Sequence, residues 1–279
     1  MRFWKYQAHG NDYLVLDAAE GPPPSAEAVR RICDRHTGVG ADGVLYGPEI
    51  RDGAFGLRIF NPDGGEAEKS GNGIRIFARW LKDTGLATGE SGWIATAGGE
   101  VEFRYLDAEG NRIEAAMGVV SFWSDDIPMT GPRREVVGEE LEFEDSDGFA
   151  VTCLTIGNPH CVVLADQARA EDAQNYGPRI ERHASFPNRT NMQMLEVVNR
   201  ATIRIEIWER GAGYTQASGS SSCAAACAAH RLGLVDANVH VEMPGGAMDV
   251  AISPDWTVKL TGEASPVFMG KLAPGFLRD

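Results

Sequence analysis

Positive charge is in short supply in this chain of 279 residues: 26 Lys and Arg stand against 40 Asp and Glu, a net charge of −14. That balance disfavours nucleic acid and anionic membrane as partners, so any anionic ligand must be held locally. Long apolar runs are missing too. No stretch approaches the ~20 residues needed to cross a bilayer, and the opening Met-Arg-Phe-Trp-Lys-Tyr-Gln lacks the apolar core of a signal peptide, so a cytoplasmic protein is expected. Cysteine is sparse and scattered: Cys33, Cys153, Cys161, Cys223 and Cys227 include no Cys-x-x-Cys pair, which argues against a disulfide framework or a zinc ribbon. Cys223 and Cys227 lack a matching pair nearby and read as small core residues, with no metal expected. None of the five lysines (Lys5, Lys69, Lys82, Lys259, Lys271) stands in an obvious Schiff-base setting, so no pyridoxal cofactor is expected either.

What is present is a serine on a glycine turn that opens a helix. In Glu66-Ala-Glu-Lys-Ser-Gly-Asn-Gly-Ile-Arg-Ile-Phe-Ala-Arg-Trp80, residues Ile74, Phe77, Ala78 and Leu81 recur at i, i+3, i+4 and i+7, a buried helical stripe, with Arg75, Arg79 and Lys82 on the opposite face. The first N–H groups of that helix, from Gly71, Asn72 and Gly73, suit a carboxylate or phosphate, with Ser70 beside it. The chain repeats the device: Thr215-Gln-Ala-Ser-Gly219 places Ser218 on a glycine turn before a helix whose Cys223, Ala226, Cys227 and His230 share a face.

The two copies lie at a nearly constant offset. Gly10-Asn11 and Gly157-Asn158 are 147 residues apart, Ser70-Gly71 and Ser218-Gly219 are 148 apart, and Leu14-Val-Leu-Asp17 echoes Val162-Val-Leu-Ala-Asp166. This spacing is too long for a solenoid, so it predicts two similar α/β domains facing one another. Strands are expected at Phe3 to Ala8, Tyr13 to Asp17, Leu57 to Asn61, Trp93 to Thr96, Val101 to Tyr105 and Arg112 to Ala116. The second half adds Phe149 to Ile156, Cys161 to Leu164, Ala201 to Trp208, Val239 to Met243, Met248 to Ile252 and Thr257 to Leu260. Ser25 caps a short helix, Gln167 to Tyr176 is read as another, and an acidic, irregular stretch (Asp125, Asp126, Glu139, Glu140, Glu142, Glu144, Asp145) joins the halves. Gly38-Val-Gly-Ala-Asp-Gly43 matches G-x-G-x-x-G but follows a helix and enters Val44-Leu-Tyr, which is the wrong context for a dinucleotide fingerprint.

Two like domains, each with a side chain at a helix N-terminus, suit inversion at a carbon beside a carboxylate: one group removes the α-proton and the other supplies one to the opposite face. The residues that carry this reading resemble the diaminopimelate epimerase family. They are Gly10-Asn-Asp, Asp34-Arg-His-x-Gly-Val-Gly-Ala-Asp42, Phe60-Asn, Asp63-Gly, Ser70-Gly-Asn-Gly-x-Arg75, Gly157-Asn-Pro-His160, Phe186-Pro, Thr190-Asn191, Glu209-Arg-Gly and Thr215-x-Ala-x-Gly219. The resemblance implies an α/β (α+β) fold of two pseudo-symmetric domains, each a β-barrel-like sheet around a central helix. Their expected extents are residues 1–118 with the return 265–279, and 119–264. It also implies a cofactor-independent isomerase of lysine biosynthesis that converts LL- to meso-diaminopimelate, with a small amino acid as partner and a homodimer as the common assembly.

By the same resemblance Ser70 and Ser218 occupy the positions of the family's two catalytic cysteines, and His160 and Glu209 those that polarise them. Asn11, Asn61, Asn158, Asn191 and Arg210 would read the substrate by side chain, and Gly71, Asn72, Gly219 and Ser220 by backbone N–H. Two departures mark a divergent or variant member: the Ser/Ser pair itself, and Tyr214 where the family commonly has Glu. Serine has no thiolate-like state near neutrality, whereas a thiol starts from a pKa of about 8.5. The alternative expectation is therefore a protein that binds without efficient turnover. A serine hydrolase is disfavoured, because Glu68 and Gln216 stand where G-x-S-x-G needs glycine.

Overall fold

The computed structural model describes residues 1–51, 53–143 and 146–277, so Glu144 and Asp145 of the acidic stretch lie outside the described residues. The chain falls into two compact units, Met1–Ala115 together with the segment from Thr261 onward, and Ala116–Leu260. Expectation had placed these boundaries at 118/119 and 264/265.

Unit 1 begins with a hairpin. Arg2–Ala8 runs antiparallel to Asn11–Asp17 with Ala8 opposite Asn11, and the two loop residues, His9 and Gly10, have φ of 54° and 80°. Positive φ at both positions is the requirement of a type I′ turn, whose twist matches that of the strands. Asn11–Asp17 then pairs in parallel with Val44–Arg51, which is antiparallel to Ala54–Phe60. Ser91–Thr96 joins in parallel, Gly99–Tyr105 and Arg112–Val119 follow as a meander, and Ser265–Lys271 closes on Arg2–Ala8. Helix α1 is Ala26–Cys33 and helix α2 is Gly71–Asp83. Side chains alternate along Asn11–Asp17: Tyr13 and Val15 pack in the core with α2, and Leu14 and Leu16 in the cluster with α1. A strand covered on both faces is buried continuously, as residues 13–16 are.

Unit 2 repeats this order. Ser146–Thr155 is antiparallel to Pro159–Leu164, which pairs in parallel with Asn191–Asn199, and Thr202–Glu209 and Gly213–Thr215 continue antiparallel. Asn238–Met243 pairs in parallel with Thr202–Glu209 and antiparallel with Gly246–Ile252. Thr257–Glu263 is a further strand, and Glu139–Phe143, expected to be irregular, pairs with Ser146–Thr155. Helix α3, Ala170–Glu181, packs on the strand side that carries Cys161 and Val163, and helix α4, Gly219–Arg231, on the side that carries Val162. Helix α3 was expected to end by Tyr176. It continues through Pro178 because Ala173, Gly177 and Ile180, at i, i+4 and i+7, seat it on the sheet.

The fold is thus a mixed α/β one, a sheet built about a buried helix, occurring in both units. Every residue of α2 from Asn72 to Leu81 is buried. This corrects the expectation of an apolar stripe with an opposite charged face: Arg75 is wholly buried and Arg79 is 8 % exposed. Both are paired, as buried guanidinium groups must be. Arg75 donates to the Gly71 carbonyl and to Asn72 Oδ1, at 2.6 Å for the latter, and Arg79 donates to Asp83 and Asn111. All five cysteines are free and buried. No helix among the described residues is long and apolar enough to cross a membrane.

Candidate active site

In unit 1 Ser70 is the N-cap of α2. Its backbone is extended (φ −144°), and its Oγ accepts the Gly73 N–H at 3.1 Å while its carbonyl accepts from Ile74. The N–H groups of Gly71 and Asn72, one and two residues on, have no intrahelical acceptor and stand at the positive end of the helix. The strand ends supply the surroundings. Asn11 Oδ1 accepts from Asn72 Nδ2 at 3.2 Å, so these two expected substrate readers meet, and the Tyr13 hydroxyl lies 3.4 Å from Ser70 Oγ. Asn61 is exposed, in a turn closed by its N–H to the Gly65 carbonyl and its carbonyl to the Gly64 N–H.

The Gly10-Asn-Asp turn is braced by the Asp34-to-Asp42 segment. Asp42 accepts from Asn11 Nδ2 and from the Asp12 N–H, and Arg35 bridges Asp12 and Asp42 at 2.7 Å each. Burial alone would raise the Asp12 carboxyl, but Arg35, Lys5 and Asp42 outweigh it and hold the group down to about 2. The Gly38–Gly43 loop follows α1 and enters a strand, so this motif braces a turn and opens no helix.

Unit 2 gives the second serine a different neighbour. Ser218 caps α4 with the same extended backbone (φ −151°), its Oγ accepting from Ser221 N at 3.4 Å. Desolvation pushes the Glu209 carboxyl up, and the neighbouring Ser218 hydroxyl partly offsets the rise. Ser220 Oγ lies 3.4 Å from Ser218 Oγ.

His160 is fully buried and its bonds run elsewhere: Nε2 pairs with Asn158 Oδ1 at 3.1 Å, and Nδ1 with Gln193 Nε2 at 3.1 Å. Because an amide nitrogen can only donate, Nδ1 is the acceptor and Nε2 carries the proton. Burial, with the charge of Arg210 adding to it, pushes the imidazole down to about 3, so it is neutral at physiological pH. Gln193 also donates to Ser221 Oγ at 3.0 Å, and this links His160 to the helix that Ser218 heads.

Asn191 holds two segments together: Nδ2 donates to the Pro159 carbonyl at 2.8 Å, and Oδ1 accepts from the Arg210 N–H at 2.9 Å. The Arg210 side chain is exposed and donates to the Asn188 carbonyl. Tyr214 donates to Glu206 Oε2 at 2.7 Å, a structural bond for a residue where the resemblance led one to expect Glu.

Three supporting residues escape a reading of motifs. Gln193 had one signal, a polar side chain in the middle of Met-Gln-Met, and it proves wholly buried. Glu181, 3 % exposed, accepts from Trp208 Nε1 at 2.7 Å and from the Gly211 N–H at 3.1 Å, so it pins both sides of Glu209-Arg210. Tyr13 sits inside an apolar strand and looked like core. Among the described residues no group of three or more His, Cys, Asp or Glu is placed to hold a metal ion.

A family model described as diaminopimelate epimerase matches residues 3–123 and 152–267. Diaminopimelate epimerase 2 of Nostoc sp. is 51 % identical over 275 residues, covering 98 % of this chain and 96 % of that protein. The diaminopimelate epimerase of Moorella thermoacetica is 38 % identical over 276 residues, covering 97 % and 98 %. Among solved structures, a probable proline racemase from Agrobacterium radiobacter shares the fold with a TM-score of 0.73 at 13 % identity, covering 99 % of this chain and 95 % of that one. Family and relatives together define an isomerase of the epimerase and racemase class. More narrowly, the chain belongs to the diaminopimelate epimerase family.

Proposed function

We propose that this protein epimerises diaminopimelate at its α-carbon, between the LL and meso forms, without pyridoxal phosphate. Ser70 and Ser218 stand in the roles of the two proton-transfer groups, with Glu209 drawing the proton of Ser218. The observation that carries the reading is the repeated placement of the two serines: Ser70 and Ser218 each cap a buried helix from the same extended backbone, φ −144° and −151°, one in each of two like units. Glu209, whose carboxyl is pushed up by desolvation, is a base suited to near-neutral proton transfer. The names of the Nostoc and Moorella relatives support the substrate. In each unit the helix N-terminus suits a carboxylate, through the N–H groups of Gly71 and Asn72 in one and of Gly219 and Ser220 in the other, and the exposed Asn61 and Arg210 offer polar groups for an amino-acid ligand.

The test is solvent deuterium entering the α-carbon of LL- and meso-diaminopimelate, read by mass spectrometry beside a panel of other amino acids. Folded protein that exchanges none of them would defeat the reading. Exchange of another amino acid alone would remove diaminopimelate and keep the chemistry.

A second reading, binding without efficient turnover, is favoured by one feature: both serine oxygens already accept backbone N–H bonds as N-caps. It predicts calorimetric binding of diaminopimelate without exchange, and a gain of exchange on Ser70→Cys combined with Ser218→Cys.

A further inference from the structure

The two serines differ in what stands behind them. Ser218 acts on the titration of Glu209, whereas Ser70 Oγ, besides capping the Gly73 N–H, stands 3.4 Å from the phenol of Tyr13. We propose that Tyr13 is the proton-relay partner of Ser70, its phenolic oxygen exchanging a proton with Ser70 Oγ as Ser70 exchanges one with the substrate α-carbon. The inference rests on the epimerase reading above.

The chemistry supplies the reason. An aliphatic alcohol is too weak an acid to hold or release a proton near neutrality, whereas a phenol ionises at about 10. In the donating direction the α-carbanion takes the Ser70 hydroxyl proton, a C–H bond forms, and Ser70 recovers a proton from Tyr13, which is left as phenolate. In the accepting direction each step reverses: the C–H bond breaks, its electron pair stays on the α-carbon and its carboxylate, and Tyr13 ends protonated. No other reactant is needed.

The position of the phenol is built into the fold. Tyr13 is 6 % exposed, in a strand that packs against α2, and its ring lies over Gly43. A Cβ at Gly43 would stand 2.5 Å from Tyr13 Cε1 and 2.6 Å from the Phe60 carbonyl oxygen, so glycine is what lets the ring sit there. The 3.4 Å separation is longer than a tight hydroxyl bond, as expected of a relay that closes when substrate is bound.

Tyr13→Phe keeps the ring and removes only the oxygen. Exchange of diaminopimelate by Tyr13→Phe should show kcat lowered about 100-fold with KM within roughly twofold, as for loss of a proton-transfer partner. In a Ser70→Cys background the same change should cost less than about threefold, because a thiol titrates on its own. Equal losses in both backgrounds would assign Tyr13 to packing, and no loss in the serine background would overturn the relay.

A second measurement needs no turnover. The thiol introduced by Ser70→Cys is alkylated by iodoacetamide across a pH series, with the five native cysteines all buried. Tyr13→Phe should raise the midpoint of that profile by roughly one unit, since the thiolate loses a hydrogen bond. An unmoved midpoint refutes the contact even if the enzyme is active. A moved midpoint in a protein without exchange keeps the contact and refutes the epimerase reading instead.

Discussion

Glu181→Gln tests how the Glu209-Arg210 segment is held. The Glu181 carboxylate uses both oxygens: Oε2 accepts from the Trp208 indole at 2.7 Å, and Oε1 from the Gly211 N–H at 3.1 Å. Glutamine has one oxygen, so one of these N–H groups must face an amide N–H at a site only 3 % exposed. A hydrogen bond to a charged group contributes roughly 1.5–3 kcal/mol, so the variant should lose about 2 kcal/mol, and Glu181→Ala, which loses both bonds, about 3 kcal/mol or more. Urea unfolding followed by tryptophan fluorescence reads this directly. Burial would raise the Glu181 carboxyl, but the bonds from Trp208 and Gly211 and the charges of Arg182 and Arg189 outweigh it and hold it below the ordinary range. Its folded-state pKa is therefore depressed: its contribution is complete above about 4.5 and is lost as pH falls through the folded value. Glu181→Gln should accordingly be less stable than the parent at pH 7 and converge on it in acid. Because Trp208 precedes Glu209, kcat should also fall. A variant with the parent's urea midpoint at pH 7 and the parent's acid slope would refute the claim that this carboxylate pins the segment.

Other perturbations read other parts of the site. Gln193→Leu leaves His160 Nδ1 and Ser221 Oγ without their shared donor inside a dry core, and should cost roughly 1–3 kcal/mol in urea unfolding while lowering the exchange rate. Gly43→Ala forces Tyr13 and the Phe60 carbonyl apart, an overpacking cost of about 1–3 kcal/mol, and should slow exchange more than a surface Gly→Ala does. The Asp12 carboxyl, at about 2 in the folded state, contributes stability that is complete above about 4 and is lost as pH falls towards 2. Asp12→Asn should therefore flatten that part of the acid-unfolding curve.

How much of this was legible depended on whether the cause lay nearby in the chain. The starts of α2 and α4 were readable because a serine N-cap and the glycine after it are local signals, and Ser25 before α1 is another. The burial of Arg79 was not, because Asn111 reaches it from far along the chain. Asn191–Asn199 went unread as a strand: it is covered on both faces and holds Gln193 in the middle, so it shows no alternation. Ser265–Lys271 looked like a tail because it carries Pro266 and exposed Val267, Phe268 and Met269. Its partner is Arg2–Ala8, at the other end of the sequence. The site divides in the same way. Ser70, Ser218 and Glu209 stand in patterned segments, whereas Glu181, Gln193 and Tyr13 owe their roles to contacts between distant strands and helices, which no local pattern records.

Those contacts also give the duplicated halves different chemistry. The two serine caps match in backbone angle and in their capping bonds, yet one hydroxyl lies 3.4 Å from a phenol and the other lowers the raised carboxyl of Glu209. At neutral pH a phenol rests protonated, so Ser70 with Tyr13 starts as the acid, and Ser218 with Glu209 starts as the base. Epimerisation in the direction that uses those resting states should rise with pH as Glu209 ionises. That limb lies above the ordinary carboxylate range, because burial raises Glu209 and its Ser218 bond only partly compensates. Glu209→Gln should abolish the rising limb together with most of the rate, and Tyr13→Phe should lower the rate and leave that limb in place. A rising limb that persists in Glu209→Gln, with an undiminished rate in Tyr13→Phe, would show that the proton traffic runs through other groups.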